Sequence, residues 1–363
     1  MKVFLVLLSI IVLCHGFNKE EFLKKHCKKA DSYFAEFRFH IKQICLICKD
    51  VNLNESDAQA FKNEEFHLTN MENVIFEGGN VGVVNSEFFK HFPHTKVILF
   101  SNVSINLAPS DLVNVNSKIE TVGIIGSTIS RNQRTNAFHS LSNLKIFVIT
   151  GCFLEHTTID GELLKMNKEL VDITLNDSGV HPPEDHHSLL RHIDEDVFDN
   201  LDKVEKLYLG IEAMTKAYAK WFQEKPLLND ILLYGRFEEF PKGIPDSVEE
   251  LDVHFTKVKH IKRDDLKNLK NLTRLAICEG DLESVAEDTL DDLVKLKTLF
   301  LSANELKHFS SRHLKHLERL SLLGIEQNPL DDLNFLEESH FVQSTKRAPG
   351  IYVKKDDLMN NVE

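Results

Sequence analysis

Val248-x-x-Leu251-x-Val253, Leu272-x-x-Leu275-x-Ile277, Leu296-x-x-Leu299-x-Leu301-x-x-Asn304-x-Leu306 and Leu320-x-x-Leu323-x-Ile325-x-x-Asn328-x-Leu330 are one pattern written four times at a spacing of 24 residues. The fourth and sixth residues of each unit are apolar and two apart, so both point to one face of a short strand. The first apolar residue joins them as the chain enters the strand. The ninth residue is Asn in the best copies, where the backbone turns and its amides and carbonyls lose their ladder partners. An amide side chain both donates and accepts, so stacked copies satisfy those groups in the interior. The eleventh and fourteenth residues, Leu306 and Phe309 or Leu330 and Leu333, return to the core. One unit cannot bury such a face, whereas stacked neighbours can. Amphipathic helices would need a period of 3.6, and these cores alternate by two.

Working outward, the same pattern extends back to Met71, with units entering at 71, 94, 119, 144, 170, 204, 228, 248, 272, 296 and 320, eleven in all. The first is Met71-x-x-Val74-x-Phe76. The second enters at His94, with Val97 and Leu99 inside and Asn102 in the Asn position. The fourth, Leu144-x-x-Phe147-x-Ile149-x-x-Cys152-x-Leu154, carries Cys in that position. The seventh unit is short, at 20 residues, and its Pro241 and Pro245 favour an extended return. The fifth is long, at 34, and holds an irregular insertion around Pro182 and Pro183. The expected fold is an α/β solenoid: a curved horseshoe of about eleven repeats with a parallel concave β-sheet.

Residues 1–16 read as a secretory signal peptide, with Lys2 before an apolar run from Val3 to Leu13 and Gly16 offering a small residue for cleavage. The run is too short to span a membrane, and no second stretch of spanning length follows. The C-terminal tail is polar, so no GPI signal is expected. Residues 17–70 form an N-terminal cap with a first strand at Ile44–Cys48. Phe22, Leu23, Cys27, Tyr33, Phe34 and Phe37 are spaced like one face of a helix or two, so the cap is expected to be helical. The solenoid then spans 71–336, and 337–363 form a C-terminal cap or tail. With 56 acidic against 43 basic residues and a formal charge of -13, nucleic-acid binding is disfavoured.

These residues resemble the extracellular leucine-rich-repeat family, in particular its small secreted members from insects, over residues 44 to about 336. The resemblance implies a protein-binding role and no catalytic site. The family's caps are usually cysteine-rich. Here the N-terminal cap has three cysteines rather than four, and Asp332 and Asn334 stand where C-terminal cap cysteines usually follow.

The mature chain keeps five cysteines: Cys27, Cys45, Cys48, Cys152 and Cys278. Cys27 pairs with Cys45 or Cys48, locking the cap to the first strand, and Cys152 is a buried free thiol. Dimerisation has no support beyond Cys278, which sits just past its strand and would be the route of an intermolecular disulfide. His181, His186, His187 and His192 fall in an irregular segment with no fixed scaffold, so no metal site is assigned and no cofactor is expected. Sequons occur at Asn54, Asn102, Asn176 and Asn271. Asn102 is expected to be buried and bare, leaving Asn54, Asn176 and Asn271 as glycosylation sites.

The third, fifth and seventh residues of each unit face away from the core, where folding demands nothing apolar. Ile75, Ile98, Phe100, Ile125, Ile146 and Val148 stand there in the early repeats, then Tyr208, Leu232, Tyr234, His254 and Phe300. Strand propensity alone would select several of them. A contiguous apolar patch marks binding, and Tyr and Phe are favoured anchors. Asp172, Asp230, Glu250 and Asp252 lie among the later positions, so basic groups on the partner would fit that end. No metalloprotease, nucleophile-elbow, phosphate-loop or dinucleotide motif is present. The expectation is a secreted, non-enzymatic module that recognises an extracellular protein on its concave face, in immune or cell-surface contacts. Alternatives are an inhibitor or carrier of a secreted partner, or a self-assembling extracellular structural protein.

Overall fold

The computed structural model describes residues 27–30, 33–34, 40–41, 45–52, 71–111, 117–131, 135–155, 158–176, 190–345 and 348–354. The chain divides into two compact units, Met1–Glu169 with Gly179–Leu190, and Leu170–Ser178 with Arg191–Glu363. Each is a stack of short parallel strands. Helices are few among the described residues: Ser86–Phe89, Arg263–Leu266 and Asn334–Glu338, besides two 3-10 turns.

In the first unit, Cys45–Asn52, Asn73–Val84, Val97–Ser101, Thr121–Ile125 and Ile146–Thr150 pair in parallel, one per repeat. Their register aligns two apolar columns, Leu46, Val74, Ile98, Val122, Phe147 and Cys48, Phe76, Phe100, Ile124, Ile149. A second parallel ladder follows the turn, through Ser104–Leu107, Thr128–Arg131 and Phe153–Leu154. Phe76, Phe88, Phe92 and Phe100 fill the space between, with the Phe76 and Phe100 rings stacked at 5.6 Å.

That register corrects the second repeat. Thr95, not His94, is the entering residue: it is fully buried and its hydroxyl donates to the Met71 carbonyl at 2.9 Å. Ile98 and Phe100 are therefore core residues, each 0% exposed. Val97-Ile98-Leu99-Phe100 is apolar throughout, so alternation could not choose the face, and a slip of one residue exchanges the two faces. The ninth position passes to Val103, whose amide donates to Ser127 Oγ at 3.2 Å. Asn102 is exposed, with φ of 54°, so its expected burial is overturned as well.

The cap is also corrected where it is described. Cys27–Ala30 is a strand, antiparallel to Cys45–Asn52, and Tyr33–Phe34 pairs with His40–Ile41. The open edge of a parallel sheet presents a row of unpaired backbone groups, and covering it outweighs the helical spacing of the side chains. Cys27 lies opposite Cys48 and the two form a disulfide, while Cys45 is buried and its thiol donates to the Ala30 carbonyl at 3.6 Å. Residues 17–26 lie outside the described residues.

In the second unit, Asp172–Asn176, Lys206–Gly210, Asp230–Tyr234, Glu250–His254, Arg274–Cys278, Thr298–Phe300 and Leu322–Gly324 continue the parallel pattern. Ile173, Leu207, Ile231, Leu251, Leu275, Leu299 and Leu323 form one core column, all 0% exposed. The ninth-position amides act as expected. Asn304 Nδ2 donates to the carbonyls of Ile277 at 2.7 Å and Leu301 at 3.0 Å, and its Oδ1 accepts from Leu282 N at 3.3 Å. Asn328 repeats the arrangement one turn on. Pro241–Ser247 forms no helix, as its prolines require. Ala348–Lys354 lies antiparallel between Leu322–Gly324, the last repeat strand, and Phe341–Thr345, pairing with both. No cysteine takes part.

Candidate docking face

The two units present different faces on the side of the sheet turned away from the core. In the first unit that side is largely filled. Ile75, Leu99 and Cys45 are each 0% exposed and pack together, with Ala30, Ile47 and Val97 against them. Ile125 and Val148 are buried and Ile146 is half-buried. With Ile98 and Phe100 in the core, Ile75, Ile125, Ile146 and Val148 of the expected early residues stand on this face, and of these only Ile146 is not buried.

In the second unit the register sets three parallel rows across the strands. The outermost is Asp172, Lys206, Asp230, Glu250, Arg274, Thr298 and Leu322. The middle row is Thr174, Tyr208, Leu232, Asp252, Ala276, Phe300 and Gly324. The third runs through Asn176, Gly210, Tyr234, His254 and Cys278. Tyr208, Leu232, Tyr234, His254 and Phe300 thus share one sheet face, as their spacing predicted.

Polar contacts fix these side chains. The Tyr208 hydroxyl donates to the Asp230 carboxylate, which Lys206 Nζ approaches at 3.6 Å. Arg274 donates Nε and Nη2 to Asp252, each at 3.0 Å, and its guanidinium lies 5.0 Å from the Phe300 ring centre. That pairing holds the ring in place by charge and quadrupole together. Phe300 rests where a side chain on Gly324 would collide with it, a Cβ there coming within 2.3 Å of the ring. His254 Nδ1 stands 4.0 Å from Glu279 Oε1. Cys278 is buried, and burial, followed by the nearby Asp252, Glu279 and Glu326 carboxylates, pushes its thiol up to about 11. A buried, protonated thiol is no ready route to an intermolecular disulfide, so that expectation is withdrawn. Cys152 is likewise buried, its thiol pushed up to about 12 mainly by desolvation.

One residue of this face was missed. Phe255 is 38% exposed and its ring lies 4.4 Å from that of Tyr234. It occupies the eighth position, where the backbone turns left-handed after the strand. Asp50, Gly78, Asn102, Gly126, Gly151, Phe255, Glu279, Ala303 and Gln327 all have positive φ there, between 48° and 75°. The Gly and Asn residues at that position in the early repeats were a legible signal. A bulky Phe in this region is an outlier, and observed outliers are where functional hypotheses begin.

Modification and metal candidates are placed as follows. Asn54 and the histidines at 181, 186 and 187 lie outside the described residues. His192 is in a short strand, 3.2 Å from Asp194. The Asn176 side chain lies over Gly210. Asn271 is held between repeats, donating Nδ2 to the Asp246 carbonyl at 2.8 Å and accepting from Lys295 at 2.7 Å. Among the described residues no group of three or more His, Cys, Asp or Glu is arranged to hold a metal ion, and no helix is long and apolar enough to cross a membrane.

The stacked parallel strands and their Asn ladder define the leucine-rich-repeat fold, a protein-interaction scaffold. Residues 270–330 match the family model described as leucine rich repeat. Among curated proteins, the chain is 30% identical over 99 residues to protein phosphatase 1 regulatory subunit SDS22 of Saccharomyces cerevisiae, covering 27% of this chain and 29% of that protein. It is 28% identical over 152 residues to mouse keratocan, covering 39% and 43%. The chain thus spans less than half the length of these relatives. Among solved structures it is similar to a leucine-rich-repeat protein of Leptospira interrogans, with a TM-score of 0.59 at 16% identity, covering 82% of this chain and 76% of that one. It is also similar to the glycosylated Toll–Spatzle complex of Drosophila, with a TM-score of 0.56 at 17% identity, covering 76% and 40%.

Proposed function

We propose that this chain is a secreted, non-enzymatic recognition protein that binds a protein partner on the outward sheet face of its second unit. The observation that carries the reading is the partly exposed set Leu232, Tyr234, Phe255 and Phe300 on one face, with Tyr208 buried among them, where the fold does not require so many large apolar side chains. The apolar run of residues 3–13 and the Cys27–Cys48 disulfide support secretion. We read residues 1–16 as signal, 17–70 as cap with first strand, 71–336 as solenoid and 337–363 as C-terminal cap, with recognition in immune or cell-surface contacts as the setting. Glycans at Asn54, Asn176 and Asn271 belong to the same reading.

The test is capture of a stoichiometric partner from extracellular fluid by the immobilised mature protein. Tyr234→Glu should abolish capture, while Leu227→Glu, at a side chain 51% exposed outside the strand rows, should retain it. Equal capture by both variants would overturn the reading.

A further inference from the structure

The second unit's outward face is unevenly charged. Of its two cations, Arg274 is committed to Asp252 and Lys206 approaches Asp230. Glu250 and Glu326 have no cationic partner among the described residues, and Glu279 faces only His254 at 4.0 Å. The Glu326 Oε2 and Ser302 Oγ atoms are buried with no hydrogen-bond partner among the described residues, although a buried carboxylate oxygen ordinarily has one. On the same face, with the Arg274–Cys278 and Thr298–Phe300 strands lying between them and Glu326, the paired Tyr234 and Phe255 rings stand partly open to solvent. Excess negative charge, an unsatisfied carboxylate and exposed aromatic faces call for the same complement: a donor-rich cation carried on an apolar stem.

Resting on the docking reading above, we propose that this face takes a cationic polypeptide segment with interleaved apolar side chains. Tyr234 and Phe255 are its aromatic anchor, and Glu250, Glu279 and Glu326 its counter-charges. The segment's Lys or Arg groups reach the three carboxylates, and an apolar or cationic side chain seats on the ring pair. Phe255 is the specificity-determining residue, because its side chain projects from a turn where Gly or Asn would fit the backbone better.

That last point makes the anchor separable from the fold. Asn adopts the left-handed conformation readily, so Phe255→Asn should leave the thermal midpoint unchanged or raise it while removing the ring. The probe is a fluorescein-labelled alternating Arg–Leu octapeptide, followed by anisotropy against the full mature chain, with an alternating Glu–Leu octapeptide as counter-probe. The expected result is binding of the Arg–Leu peptide alone, weakened about tenfold or more by Phe255→Asn. Combined Glu250→Gln, Glu279→Gln and Glu326→Gln should weaken it comparably. The charge-matched control Glu239→Gln, Glu287→Gln and Glu318→Gln, on exposed positions elsewhere in the unit, should have little effect. Equal loss in the control, binding of both peptides, or no change in Phe255→Asn overturns the proposal. Partner capture separates the two levels. If Tyr234→Glu abolishes capture while Phe255→Asn and the Glu250, Glu279 and Glu326 variant retain it, the face docks a protein but not through this chemistry. If all three capture alike, both readings fall.

Discussion

Phe100→Ala distinguishes the two possible registers of the second repeat by a large margin. On the outward register the ring would stand on the sheet surface, and truncation would change stability by no more than about 0.5 kcal/mol. In the structure Phe100 is 0% exposed, stacked on Phe76 at 5.6 Å and tilted against Phe88 at 5.9 Å. A buried Phe removes on the order of 150–200 Å² from water, worth about 4–5 kcal/mol at ~25 cal/mol per Å². Partial collapse of the surrounding Phe cluster would return some of this, and loss of the ring pair would add to it, so about 3–5 kcal/mol is expected. Urea unfolding followed by far-UV circular dichroism measures it, with Val97→Ala as the comparison: Val97 is half-buried on the opposite face and should cost less. A Phe100→Ala loss below about 1 kcal/mol, or one no greater than that of Val97→Ala, would refute the register.

Asn304→Ala strips the Ile277 and Leu301 carbonyls and the Leu282 amide of a shared partner, so a loss of about 1–3 kcal/mol is expected in the same assay. Lys225 is buried and donates to the Phe198 carbonyl at 2.8 Å, and burial lowers its ammonium from 10.5 to about 8. Between those values the unfolded chain binds more protons than the folded one, so Lys225 makes stability rise with pH from about 8 to about 10.5, by up to roughly 3 kcal/mol. Urea midpoints at pH 7.5, 9 and 10 should show a shallower rise in Lys225→Met; an unchanged slope would place the ammonium in solvent. Asn102 is exposed with Ser104 two residues on, so peptide mapping after enzymatic deglycosylation of protein from a secretory host should find it converted to Asp. Unmodified Asn102 in a secreted, signal-cleaved chain would contradict that.

The sequence carried the repeat wherever polar residues flank the core pair. Leu299 and Leu301 sit beside Thr298 and Ser302, so alternation alone selects their face. It failed at Val97-Ile98-Leu99-Phe100, where both faces are apolar and only the hydroxyl of Thr95, seated under the Met71 carbonyl, marks the frame. The first unit buries residues on its second sheet face as well, which removes the polar punctuation that such a reading needs. In the cap, the spacing of Phe22 through Phe37 suited a helix, but an uncovered parallel edge is a tertiary demand that no local period expresses. On the docking face, Tyr208, Leu232, Tyr234, His254 and Phe300 followed from counting every second residue. Phe255 did not, because it leaves the strand at a left-handed turn, and its ring returns to Tyr234 only in three dimensions.

Photo-crosslinking from the outward sheet face of the second unit reads partner docking there without relying on affinity capture. A benzophenone side chain placed at Leu232, in the middle row of the face, or at Leu227, exposed outside it, is irradiated in extracellular fluid and the adducts are resolved by mass. One discrete protein adduct is expected from position 232, absent from 227 and lost when Tyr234→Glu is added. Matching adducts from both positions, or an adduct that survives Tyr234→Glu, would contradict it.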